Sequence, residues 1–240
     1  PEGKDHITKP ELFILDLLAN YQWDRPINLL NFGGDLEIGI KDYLEYQGYS
    51  YKLIPIANHP TSTEVGFVDS EELYRLMTQS FSWDALSRED YFVDYQNVYT
   101  HLGVMPVRNL FLTCADKFIE EGQLSRAREM LDKCMEVMKP YPVETIPLGF
   151  ISNDYMVVQI IRDYYALGDS NKARALAVEL GDGLLSAAAF YIDFYDVSKD
   201  DFDNVVSYLY YLNEVLKDAG DRELASQLDG MLNKLVSAQG

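Results

Sequence analysis

Apolar positions recur along this chain with two different spacings. From about Val104 to the end they return roughly every 3.6 residues, with interruptions, as the buried stripe of an amphipathic helix does. The first part is mixed. In "ELFILDLLANYQW", Leu12, Phe13, Leu15, Leu17 and Leu18 predict a helix of about three turns packed on something else. "RPINLLNF" reads as a short strand behind Pro26, "GGD" as a turn, "LEIGIKDYLEYQG" as a helix closed by Gly48, and "YSYKLIPI" as a second strand. The connection has about the length that parallel pairing requires, so a strand-helix-strand unit is expected. Residues 57–68 read as loop, and Asp69 ahead of "SEELYRLMTQSF" opens a helix with an acidic first turn. Residues 82–103, with "DYFVDYQNVYTHLG", fit either an aromatic-rich extended segment or broken helix and are expected to run over the surface of their neighbours. The fold class expected is mainly α with a small α/β part. Residues 1–68 hold the first helix and the strand-helix-strand unit, and 69–240 the helices, the two forming one continuous body.

Within the helical region, Gly122, Gly168 and Gly220 each end one helix and precede another. Upstream stand Phe111, Cys114, Ala115 and Phe118, then Val157, Ile160, Ile161 and Tyr164, then Leu209, Leu212, Asn213 and Leu216. Downstream stand Ala127, Leu131 and Cys134, then Ala173, Ala177 and Leu180, then Ala225, Asp229 and Leu232. These positions resemble the tetratricopeptide repeat, with small residues where helices approach closely, glycine at the turn and a proline near the end of the first copy, Arg108 to Pro140. Ile161 and Asn213 replace a small residue, and Asp229 falls where an apolar one belongs. The spacing between glycines exceeds the repeat's usual period of about 34 residues, so "KPYPVETIPLGF" and "GLLSAAAFYIDFYDV" are read as insertions. A plain antiparallel helical bundle satisfies the same pattern. With so few copies, the stack is expected to lean on the strand-helix-strand region for a cap.

Composition narrows the partners. Thirty-nine acidic against twenty basic residues give a net charge of −19 over 240 residues, which repels phosphate backbones and anionic membrane surfaces. Nucleic acid is therefore not an expected partner. Nearly apolar stretches such as "LLSAAAFYI" fall short of the ~20 residues of a membrane helix, so no direct membrane insertion by this chain is expected. The polar lead "PEGKDHITKP" starts without methionine and matches no targeting signal, as a piece of a longer protein would.

The usual catalytic patterns are incomplete in this chain. "NFGGD" offers glycines for a phosphate cradle, but GxGxxG and GxxxxGK[ST] are missing and Asp35 would set its own charge at the helix start, so Asp35 also reads as a helix cap. His6, His59 and His101 have no HExxH spacing, and Cys114 and Cys134 read as buried small hydrophobes. No catalytic residue, metal ligand or cofactor is nominated. If the repeat resemblance holds, the inner face of the stack would carry Asn109 and Asp116, then Tyr155, Arg162 and Tyr165, then Tyr210 and Glu214, as a candidate partner-binding face. Substituting Tyr155 and Arg162 together is expected to abolish capture without unfolding.

Taken in order, "LDLLANYQWDRPINLLNF", "YLEYQGYSYKLIPI", "FSWDAL", "YFVDYQN" and "LDKCMEVMKPYPV" are similar to the soluble C-terminal region of a family of large bacterial multi-pass membrane proteins related to membrane glycosyltransferases, including protein O-mannosyltransferases. The most specific piece is Trp23, Arg25, Pro26 and Ile27, followed by Tyr51, Leu53 and Pro55; Gln47 and Lys52 replace a glutamate and an arginine usual in that family. The resemblance implies a non-catalytic accessory domain on the periplasmic side of the inner membrane. It would brace the membrane part of its own parent chain or position an acceptor protein or peptide. The alternative is a free-standing scaffold that binds a peptide in a repeat groove.

Overall fold

The computed structural model describes residues 6–30, 39–57, 66–90, 92–94, 106–141, 143 and 153–237. The chain divides into two compact units, Pro1–Phe81 and Ser82–Gly240. The protein is mainly α with a small α/β part, as its periodicity predicts.

The first unit opens with α1, Lys9–Ala19, whose start is a capping box: Glu11 N donates to the Thr8 hydroxyl while the Glu11 carboxylate takes the Thr8 backbone N–H at 2.7 Å. The buried side chain of α1 is that of Glu11, whereas Leu12, Phe13, Leu15 and Leu17 are exposed. Three short strands follow, β1 (Asn28–Leu29), β2 (Leu44–Tyr46) and β3 (Tyr51–Leu53), in the spatial order β1-β3-β2. Both pairings are antiparallel, with Leu44 opposite Leu53 and Tyr46 opposite Tyr51. This corrects the parallel strand-helix-strand expectation. Within "LEIGIKDYLEYQG" the described residues make a 3-10 turn, Lys41–Tyr43, and then β2. Leu44, Leu53 and Ile40 form a small core with Leu18, Ile27, Leu29 and Tyr51, so alternation across a sheet replaces a helical stripe. Gly48 does adopt the left-handed conformation expected of it, φ +83°, but in the turn of the β2–β3 hairpin, where Gln47 N donates to Ser50 O at 2.8 Å. The "NFGGD" segment with Asp35 lies outside the described residues.

Helix α2, Ser70–Arg75, is capped by Asp69, which accepts from Glu72 N at 3.0 Å, and continues as a π turn over Leu76–Ser80. The first unit thus runs past residue 68 and takes in this helix.

The second unit is a series of helices: α3 (Pro106–Glu120), α4 (Leu124–Val137), α5 (Asn153–Ala166), α6 (Ser170–Ile192), α7 (Tyr195–Asp218) and α8 (Arg222–Ser237). Of residues 82–103, the described ones are turns and irregular chain, from which Trp83 packs on Phe111 with ring centroids 5.2 Å apart. Helices α3/α4, α5/α6 and α7/α8 form three antiparallel hairpins. The first helix of each packs on the first helix of the next.

The three hairpin turns are built alike. Gln123 N donates to Phe118 O and Gly122 N to Ile119 O; Asp169 and Gly168 repeat this with Tyr164 and Tyr165, and Asp221 and Gly220 with Leu216 and Lys217. This is the Schellman closure, which places a left-handed residue after the helix. The glycines have φ between +75° and +80°, and a Cβ there would meet nothing within 4 Å, so backbone conformation rather than crowding requires glycine.

The hairpins are then clasped to one another. Arg128 on α4 donates to the Asp169 carboxylate and to Leu167 O at 2.7 Å, gripping the turn of the second hairpin. Arg174, in the same place on α6, reaches Asp221 at 2.6 Å and Glu223 at 2.9 Å in the third. The position equivalent to those arginines on α8 is Ser226. Asn213 and Asp229, both departures from the repeat pattern, bond to each other across α7 and α8. The stretch "GLLSAAAFYIDFYDV", read as an insertion between hairpins, instead lengthens α6 and α7. The cause is its run of alanine and apolar residues without proline, with a kink at Ser198. Helix α6 is also long and apolar enough to cross a membrane by length and composition, with mean hydropathy 1.4 over its most apolar window. In this fold Ala173, Ala177, Leu180, Leu184 and Ala188 on it are buried, and it packs on α5 and α7.

Cys114 and Cys134 are both fully buried, and burial pushes the Cys134 thiol up to about 12, Arg108 pulling the other way. Because the thiolate is the reactive form, iodoacetamide is expected to alkylate the folded protein on the order of a hundredfold more slowly than the urea-unfolded chain at pH 8. Equal rates measured by mass spectrometry would contradict the buried α3/α4 seam.

Candidate partner-binding face

The seven residues nominated from sequence all fall on α3, α5 and α7, the helices that pack in succession. Asn109 is exposed near the start of α3 and Asp116 is half-buried two turns on. On α5, Tyr155 is 50% exposed, Arg162 is exposed and Tyr165 half-buried; on α7, Tyr210 is 49% exposed and Glu214 exposed.

Some of these are brought together. Arg162 Nη2 lies 3.1 Å from Asp116 Oδ1, which joins α5 to α3. The two occupy equivalent positions, six residues before their turn glycines. Glu214 holds the same position on α7 but pairs with Lys217 on its own helix at 3.0 Å. Tyr165 donates its hydroxyl to Asp221 at 2.9 Å, and burial followed by that bond raises its phenol to about 12. Tyr165 is therefore part of the clasp around the third turn rather than free to meet a partner.

Three neighbours escaped the sequence reading. Tyr155 stacks on Tyr211, not Tyr210, with ring centroids 5.6 Å apart and planes 9° from parallel. Gln159, buried beneath, donates to the Tyr211 hydroxyl. Asp163 is 2% exposed and takes Arg162 at 2.9 Å. Arg162 thus has a structural role beside the binding one expected of it: its guanidinium is the counter-charge of a buried carboxylate. One signal was available in the sequence, the opposite charges of Asp116 and Arg162 at equivalent repeat positions; the burial of Asp163 had none.

What the face can do is stack and pair. The Tyr155–Tyr211 platform offers a flat apolar surface with phenolic tips, and Tyr210 adds a further exposed ring. Among the described residues no group of three His, Cys, Asp or Glu side chains is placed to hold a metal ion. His6 is exposed, and His59 and His101 lie outside the described residues.

Residues 2–72 match the family of TMEM260-associated domain 2. The match begins in the lead and ends within α2, so it falls inside the first unit, covers less than half of the chain and leaves the hairpins unmatched. No curated protein and no solved structure matches the chain.

Proposed function

We propose that this chain is a non-catalytic accessory region of a membrane-anchored, glycosyltransferase-like protein, held on the periplasmic side of a bacterial inner membrane. In this reading a TMEM260-related unit precedes a tetratricopeptide-like stack, whose α3/α5/α7 face takes the membrane part of its own parent or an acceptor peptide. The observation that carries it is the match of residues 2–72 to a domain associated with TMEM260. The three identically closed hairpins and the exposed Tyr155 and Tyr210 support the binding role, since stacked hairpins of this kind present one continuous face to a partner. A net charge of −19 favours a basic partner through electrostatic complementarity.

An immunoblot of fractionated native cells, with antibody raised against this 27.5 kDa chain, tests the parentage. A much heavier band in the membrane fraction is expected. A soluble band near the chain's own mass would overturn the membrane-anchored reading and leave a free-standing scaffold.

A further inference from the structure

Where α3 packs on α5, one buried carboxylate oxygen, Oδ2 of Asp163, is left without a donor among the described residues. The Arg162 guanidinium spans two carboxylates, with Nη2 3.1 Å from Asp116 Oδ1 and 2.9 Å from Asp163 Oδ1. Asp163 is sealed beneath it, and among the described residues no donor reaches its Oδ2. Because one guanidinium nitrogen touches an oxygen of each acid, the two carboxyls are neighbours across the α3–α5 contact. Two ionised carboxylates so placed repel each other and leave a buried oxygen unsatisfied, which is costly. A proton on one converts the repulsion into a charge-assisted O–H···O bond.

The remaining charges near the pair do not remove that need. Glu120, one turn along α3, adds further negative charge, and its neighbour Lys117 is bound to it at 2.8 Å. On α5 itself Tyr155 is near enough to feel the Asp116 charge, and from α7 Tyr211 stacks on Tyr155 and lies near Arg162, neither phenol supplying a positive charge. On α4, Arg126 lies over the Phe118 ring, Arg128 grips Asp169, and Asp132 takes Lys172 and Tyr164. Among the described residues Arg162 is the cation seen to bridge both acids, and one guanidinium cannot neutralise two carboxylates.

We propose that Asp116 and Asp163 hold one proton between them, given by Asp116 to Oδ2 of Asp163, and that this shared proton fastens the first hairpin to the second. The inference is independent of what the face captures. Burial, and next the charge of Asp163, push Asp116 up from 3.8 to about 7, Arg162 opposing. Because the acids are coupled, that midpoint belongs to the pair. The sign follows from linkage. Between about pH 4 and pH 7 the folded chain keeps a proton that the unfolded chain releases, so this contribution to stability is complete at low pH and falls as pH rises. Above about 7 the hairpin junction carries an extra negative charge and is at its weakest.

Asp116→Asn supplies a permanent N–H donor in place of the titrating O–H. Urea unfolding of the whole chain at intervals from pH 4 to pH 8 should show the variant gaining on the unsubstituted protein as pH rises. The gap should open above about 4, level off above about 7, and reach about tenfold or more in the folded-to-unfolded ratio. A gap independent of pH would overturn the proposal. Carbon-13 NMR of the carboxyl groups in the unsubstituted chain gives a second reading that needs no variant to fold. One carboxyl of the Asp116–Asp163 pair is expected to titrate near 7, and titration of both in the ordinary carboxylate range would overturn the proposal equally.

Discussion

Phe118→Ala is expected to lower the unfolding free energy by about 3–5 kcal/mol, the range for deleting a fully buried aromatic side chain. Phe118 has no exposed surface and sits at the last turn of α3, where its carbonyl accepts from Gln123 to close the first hairpin turn. Its ring lies under the Arg126 guanidinium, 5.4 Å from the centroid, so truncation removes core volume and a cation–π contact together. The opposing helix α4, with Ala127, Leu131 and Cys134 buried along it, is itself fixed by that turn, which limits how far the cavity can collapse. Leu124→Ala, at the exposed start of α4, provides the contrast and should stay within about 0.5 kcal/mol of the unsubstituted chain. Urea titrations followed by far-UV circular dichroism measure both. Similar costs for the two would mean that the α3/α4 seam is not where the hairpin derives its stability.

Arg162→Met should destabilise the chain by about 2 kcal/mol at pH 7. Breaking a buried ion pair typically costs about 3–5 kcal/mol because one charge is left uncompensated. Here the guanidinium side chain is 47% exposed while the Asp163 side chain is 3% exposed, so the partner is buried and the arginine is not. Solvent screening reduces the loss accordingly. Adding Asp163→Asn to Arg162→Met should recover most of it, since the amide removes the stranded charge. The double-mutant cycle, read from urea midpoints, therefore predicts strong coupling, and simple additivity of the two changes would show that the pair does not act as one. A test of partner capture is cleaner with Tyr155, whose exposed ring can be truncated without stranding a charge.

Much of the helical part could be read from particular residues. Gly122, Gly168 and Gly220 mark hairpin turns because a left-handed backbone is needed to close each helix end, a requirement that acts within six residues. Thr8 with Glu11, and Asp69 ahead of Glu72, announce helix starts for the same local reason. Gly48 shows the boundary of such reading. Its conformation was legible, but a helix cap and a hairpin turn ask the same thing of glycine, and strand pairing, including that of β3 with the more distant β1, decided between them. For "GLLSAAAFYIDFYDV", the departure from repeat spacing gave extra residues between the turns at Gly168 and Gly220 but did not say whether they form a loop or lengthen the helices, as they do.

The candidate face divides in the same way. Its seven residues lie on α3, α5 and α7 because the helical period, counted back from each glycine, assigns positions to helices without knowledge of neighbours. Their partners depend on how those helices cross. Arg162 became the counter-ion of a buried acid, Tyr165 became part of a clasp, and Tyr155 stacked on Tyr211. Asn213 and Asp229 each looked like a fault in the repeat until α7 and α8 brought them together. By itself the sequence determined the mainly α composition, the caps and the hairpin turns, all set by interactions within one or two helical turns. Tertiary structure decided the antiparallel sheet, the clasps and the charge pairs, because the β1–β3 pairing, the clasps and the Asp116–Arg162 bridge need residues far apart in sequence to meet, and burial exists only once the elements have packed.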